Sequence, residues 1–148
     1  MKEALSTTLL GMVTLLVAAV LSAWVMGGFS PERKLPPDLS VQAAEMGVQV
    51  VDTLQMKEIV ESGSHLILDA RTRSEYDQGH IPTAMSVSVQ NFEESFPPIA
   101  PMLYPDAPLV VYCTGPTCDD ALRLIERLRE AGYPGAVLYV EGMEGWND

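Results

Sequence analysis

Cysteine and histidine are scarce in this chain, with two of each among 148 residues. Cys113, Cys118, His65 and His80 stand at spacings that fit no usual zinc pattern, so neither a metal nor a cofactor is expected. Basic side chains are also few, nine Lys and Arg against twenty Asp and Glu. From Glu45 to Asp148 the six that occur (Lys57, Arg71, Arg73, Arg123, Arg127, Arg129) face seventeen acidic ones, and the net charge of −11 belongs to this part. Nucleic acid and anionic lipid surfaces are therefore disfavoured as partners of that region. No internal repeat or low-complexity tract is present.

The N-terminus lacks charge of either sign. Between Ala4 and Ser30 no ionisable side chain occurs, and Leu9 to Met26 is almost wholly apolar. At about 1.5 Å per residue such a helix nearly matches a hydrocarbon core of about 30 Å. Trp24 falls where an interfacial aromatic belongs. A cleaved signal peptide is the rival reading. Glu3 beside Lys2 makes a poor basic n-region, and no clear small-x-small site ends the run, so an uncleaved anchor over residues 1–28 is favoured. Lys2 and the terminal amine oppose Arg33 and Lys34, so the positive-inside rule barely orients it. The expectation is a single-pass membrane protein with its soluble domain extracytoplasmic (periplasmic). Residues 29–47, with Pro31, Pro36 and Pro37, read as a linker, and the soluble domain as residues 48–148.

Within that domain, apolar runs alternate with helical patterns. Val48–Val51 is a short strand. Asp52 or Thr53 caps a helix through Glu61 with Leu54, Ile59 and Val60 on its apolar side, and Gly63 ends it. His65–Asp69 is a second strand, and Thr72 caps a short helix that follows. Met85–Val89 alternates as a third strand. Pro97, Pro98 and Pro101 limit helix between Phe92 and Tyr104. Leu109–Tyr112 is a buried strand, Ala121, Leu122, Leu124, Ile125 and Leu128 follow helical spacing, and Ala136–Val140 is the last strand. This order implies an α/β fold, three layers with a mainly parallel central sheet covered on both faces.

Cys113 ends the fourth strand. After it come Thr114, Gly115, Pro116, Thr117 and Cys118, then Asp119 at the N-cap position of the longest helix. Amide N–H groups and the positive end of a helix dipole stabilise a thiolate in such a place. The bland alternative is equally open: free cysteine is among the most buried residue types, and Cys113 then merely caps a core strand.

Leu68–Val87, LDARTRSEYDQGHIPTAMSV, resembles the rhodanese signature. Asp69, Arg71, Glu75, Tyr76, Gly79, His80, Ile81, Pro82 and Ala84 match, while Thr83 replaces the usual glycine. The strand–Cys–loop–helix at Cys113 and the closing Gly142–Trp146 follow in the family's order. The resemblance implies a rhodanese-like fold and sulfur transfer, with Cys113 as the catalytic nucleophile that becomes a persulfide. It implies that the loop Thr114, Gly115, Pro116, Thr117, Cys118 and Asp119 binds substrate through its backbone. Asp69, Arg71, Glu75 and His80 are implied as structural residues. The substrate is then a small sulfur compound or a protein persulfide.

Three departures bear on the chemistry. Cys118 stands where many members carry an arginine, and Asp119 and Asp120 add negative charge, which disfavours dianionic thiosulfate and a phosphatase alike. A persulfide donor fits better. Cys118 also permits a resolving-thiol role, a resting disulfide with Cys113, or simply a partly buried small residue. Finally, the segment from Cys113 to the Ala131–Tyr133 turn is about two residues longer than the commoner pattern, in either the loop or the helix. The rivals to sulfur transfer are a non-catalytic module docking a membrane sulfur or respiratory partner, and a Cys113/Cys118 thiol–disulfide protein.

Overall fold

The computed structural model describes residues 38–104 and 106–148. The expected anchor at residues 1–28 lies outside them, and no helix among the described residues is long and apolar enough to cross a membrane.

Five strands, β1 (Val50–Val51), β2 (Leu66–Asp69), β3 (Met85–Ser86), β4 (Leu109–Tyr112) and β5 (Val137–Tyr139), form one sheet in the order β1-β5-β4-β2-β3. Every pairing is parallel, with Leu68 opposite Val111 and Val111 opposite Leu138 in register. Each crossover carries helix or turn. The helices are α1 (Leu39–Glu45), α2 (Thr53–Ser62), α3 (Arg73–Gln78), α4 (Phe92–Ser95), α5 (Asp120–Glu130) and α6 (Gly142–Asn147). Two 3-10 turns, Val89–Asn91 and Ala100–Met102, flank α4.

The strict alternation of side chains along a strand splits the core into two layers. Leu109, Val111 and Cys113 face one side with Leu68 and Leu138, packed on α5 through Ala121, Leu122, Leu124, Ile125 and Leu128. Val110 and Tyr112 face the other, with Ile67 and Tyr139 against Met56 and Ile59 of α2, and with Met143 and Trp146 of α6 at the edge. All four residues of β4 are inaccessible. The α/β/α sandwich expected from the alternating pattern is thus the observed architecture.

Four local expectations need correction. The linker assigned to residues 29–47 does not extend through its last ten residues. There α1 starts on an Asp38 side-chain cap, and Leu39 and Ala43, one turn apart, enter the core beside Val48. Arg129 of α5 donates to the carbonyls of Met46 (2.9 Å) and Gly47 (3.3 Å), so this segment belongs to the body. In α2, Leu54 is 69% exposed, and Met56 takes the buried position with Ile59. The third strand is shorter than its alternation suggested, two residues before the chain turns into the 3-10 helix at Val89. Asp119 occupies the N-cap of α5 without a side-chain capping bond, its backbone being already helical at φ −79°. A helical N-cap turns the carboxylate away from the amides it would otherwise accept from.

Other expected caps are present. Asp52 and Gln55 form a capping box at α2, and Gly63 closes that helix in the left-handed conformation. Thr72 and Glu75 form a second box at α3.

Candidate active site

The Asp-x-Arg segment that ends β2 makes a buried cluster rather than a surface ion pair. Arg71 Nη2 reaches Asp69 Oδ2 at 2.6 Å and Nε reaches Oδ1 at 3.0 Å, while Nη2 also donates to the Gly79 carbonyl at 2.8 Å. Asp69 is fully inaccessible and accepts in addition from the Tyr112 hydroxyl at 2.6 Å. That hydroxyl accepts from the Ile81 amide at 3.1 Å. The network joins the ends of β2 and β4 to the Gly79–Ile81 turn, and Tyr112 is the residue before Cys113. Burial, followed by the Asp69 carboxylate, pushes the Tyr112 phenol far above its ordinary value, so it stays a neutral donor. Burial alone would lower Arg71, but the bonds and charge of Asp69 outweigh it and raise it.

Glu75 accepts from the Thr72 hydroxyl (2.5 Å) and amide (3.0 Å), and these bonds hold its carboxyl below the usual range. His80 stacks on Tyr76 at 3.8 Å between ring centroids, and its Nδ1 lies 3.0 Å from the Tyr76 carbonyl. Its geometry is that of a packing residue. His65 meets the Ser64 hydroxyl at 2.9 Å. Thr83, in place of glycine, has φ +67°, the left-handed region that a β-branched residue rarely occupies.

Cys113 lies at the C-terminal end of β4, 3% exposed. Parallel α/β sheets place ligand chemistry at this edge, because strand ends and helix N-termini converge there. Thr114–Asp119 then lead into α5. The loop is clamped by the start of α6: the Met143 amide donates to the Cys113 carbonyl (3.0 Å) and the Glu144 amide to that of Thr114 (2.9 Å). Gly142, at φ +58°, packs so closely that a Cβ there would stand 2.8 Å from Thr114 C and 2.9 Å from Gly115 N. The Glu144 side chain fills the space where a side chain on Gly115 would project. Thus the closing Gly-Met-Glu-Gly-Trp stretch braces the loop, and Gly142 and Glu144 belong to the site, although sequence patterning marked them only as the family's closing motif.

Cys113 and Cys118 are joined in a disulfide, with Cα atoms 6.1 Å apart. Among the alternatives open for Cys118, this is the resting disulfide. The Asp120 carboxylate lies close by: one of its oxygens and the two sulfurs are all within 4.8 Å of one another, the one such group of metal-capable side chains among the described residues. Asp120 is also paired with Arg123 at 3.0 Å. Arg123 lines a cavity of about 490 Å³ together with Phe92, Glu93 and Arg127. Of the site residues expected from sequence, Cys113 through Asp119 are contiguous, Asp69 and Arg71 connect to β4 through the Tyr112 hydroxyl, and Glu75 and His80 lie on α3 and in the turn after it. In the sequence Asp120 reads only as an unfavourable charge, since its approach to the sulfurs depends on how α5 begins.

A parallel α/β/α sheet with a cysteine-headed loop at its carboxyl edge defines the class. The family model described as the rhodanese-like domain matches residues 52–148, and the chain belongs to that family. It is 35% identical over 63 residues to the tRNA uridine(34) hydroxylase of Photorhabdus laumondii, a match covering 41% of this chain and 18% of that protein. An HTH-type transcriptional regulator of Mycobacterium tuberculosis, Rv0324, is 28% identical over 98 residues, 64% of this chain and 42% of that protein. The chain thus spans less than half the length of these curated relatives. Among solved structures, the rhodanese-like domain of the Alr3790 protein from Anabaena superposes with a TM-score of 0.55 at 26% identity, covering 66% of this chain and 71% of that one. The human single-domain sulfurtransferase TSTD1 superposes at 0.58 with 24% identity, over 68% of this chain and 96% of that one, a likeness of fold.

Proposed function

We propose that this protein is a membrane-tethered rhodanese-type sulfurtransferase in which Cys113 carries sulfane sulfur as a persulfide. The observation that supports it most is the position of Cys113, at the carboxyl edge of the sheet, heading a loop that is clamped by α6 and runs into a helix N-terminus. A dithiol first reduces the Cys113–Cys118 disulfide and is itself oxidised. The Cys113 thiolate then attacks the outer sulfur of a persulfide R–S–S⁻, forming Cys113–S–S⁻ and expelling R–S⁻. A thiolate acceptor attacks the outer sulfur in turn, takes it, and regenerates the Cys113 thiolate. Asp119, Asp120 and Glu144 around the loop disfavour thiosulfate, a dianion, and suit a thiol-borne donor, small or on a protein. Backbone groups of Thr114, Gly115, Pro116, Thr117, Cys118 and Asp119 hold the substrate in this reading. His80 takes no part in the chemistry.

The disulfide favours a second reading, a thiol–disulfide couple. In it Cys118 attacks Cys113 Sγ of the persulfide, releasing HS⁻ and restoring the disulfide. The charge-free stretch Leu9–Met26 supports an anchor, and the disulfide suits an oxidising compartment such as the periplasm. A membrane partner that supplies or accepts sulfur follows from that location.

The experiment is intact mass spectrometry of the full chain in mild detergent, reduced, desalted and exposed to polysulfide. The transferase reading expects a gain of one sulfur that is lost in Cys113→Ser and retained in Cys118→Ser. Loss of two hydrogens that requires both cysteines supports the redox couple instead. No mass change refutes both and leaves a docking module.

A further inference from the structure

We infer that the reduced Cys113–Cys118 pair, together with Asp120, forms a binding site for a thiophilic d¹⁰ cation of the Zn²⁺ class. The spacing of cysteine and histidine in the sequence predicts no metal. The folded chain supplies a carboxylate instead. One oxygen of Asp120 and the two sulfurs lie within 4.8 Å of one another, and the Cα atoms of the cysteines are 6.1 Å apart.

Once a dithiol or phosphine opens the disulfide, the two sulfurs relax to van der Waals separation but stay tethered by their backbone. Tetrahedral zinc, with bonds of about 2.3 Å to sulfur and about 2.0 Å to oxygen, holds its ligand atoms about 3.5 Å apart. Asp120 needs to close by about 1 Å, within reach of side-chain rotation in the first turn of a helix. Two thiolates and a carboxylate carry three negative charges, and Asp119 and Glu144 add to the surrounding field. An acidic setting that repels a dianionic sulfur donor attracts a divalent cation. The neighbouring cation, Arg123, is 56% exposed at its side chain and free to swing into solvent when the metal takes Asp120. Three protein ligands leave a fourth position for water or an external thiol. Binding does not depend on sulfur transfer, although a bound ion would occupy the nucleophile and block loading.

The test uses the full chain in detergent, reduced with a phosphine and desalted without oxygen, then titrated with Zn²⁺ against a chromophoric chelator. The expected result is one equivalent retained by the wild type, none by Cys118→Ser, and affinity lowered about tenfold or more in Asp120→Asn. A second readout needs no variant: Zn²⁺ raises the thermal midpoint of the reduced chain and leaves that of the disulfide form unchanged. Failure to retain zinc, undiminished affinity in Asp120→Asn, or an equal midpoint shift in the oxidised chain would each overturn the inference.

Discussion

Replacing Tyr112 by phenylalanine removes one oxygen from a residue with no solvent exposure, directly before the proposed nucleophile. That oxygen makes two bonds. It donates to Asp69 at 2.6 Å, a bond to a buried charge that contributes about 1.5–3 kcal/mol. It also accepts from the Ile81 amide at 3.1 Å, and leaving that buried N–H unpaired costs about 1–3 kcal/mol. Asp69 keeps its bonds to Arg71, which limits the loss. The ring stays, so no cavity of consequence forms. A total of about 3 kcal/mol is expected, and for a folded body of roughly a hundred residues this lowers the thermal midpoint by about 15 °C. Thermal unfolding of the full chain in detergent, followed by far-UV circular dichroism, measures it. Asp69→Ala, which strands Arg71 without its partner, should cost more, about 3–5 kcal/mol. If Tyr112→Phe shifts the midpoint by less than about 3 °C, the buried network is not what fixes the end of β4.

Thr83→Gly should stabilise the chain by about 1 kcal/mol in the same assay, since it relieves a β-branched residue held at φ +67°; a destabilised variant would contradict this. Gly142→Ala, which combines φ +58° with backbone atoms of the cysteine loop inside contact distance, should cost more than about 2 kcal/mol and slow sulfur loading of Cys113. Unchanged loading would show that α6 does not brace the loop. Because Glu75 has a lowered carboxyl pKa when folded, its contribution is present above the unfolded value near 4.5 and lost as pH falls through the lower folded value. Glu75→Gln should therefore flatten part of the acid limb of a midpoint-against-pH curve, and an unaltered limb would exclude that contribution.

The features legible in the sequence are those with local causes. Apolar spacing from Ala121 to Leu128 marks α5, and Asp52, Gly63 and Thr72 mark helix ends where the chain itself supplies the hydrogen bond. The position of Cys113 at a strand end was readable for the same reason. Contacts between distant segments were not. Tyr112 reads as a strand residue, and its bond to Asp69, 43 positions earlier, exists only once β2 and β4 pair. The prolines before Asp38 conceal α1, whose two buried residues matter only through the core they enter. Met56 displaces Leu54 from the interior because the sheet sets which face of α2 turns inward. Glu144 and Asp120 join the site through the starts of α6 and α5, which composition does not locate.

The claim on which the functional reading rests is that the loop after β4 activates the sulfur of Cys113. It is tested most directly by the rate of iodoacetamide alkylation at neutral pH, in the full chain carrying Cys118→Ser so that no disulfide forms. An amide-rich loop at a helix N-terminus predicts a rate about tenfold or more above that of an unstructured cysteine peptide. A rate equal to the peptide's or slower would contradict it.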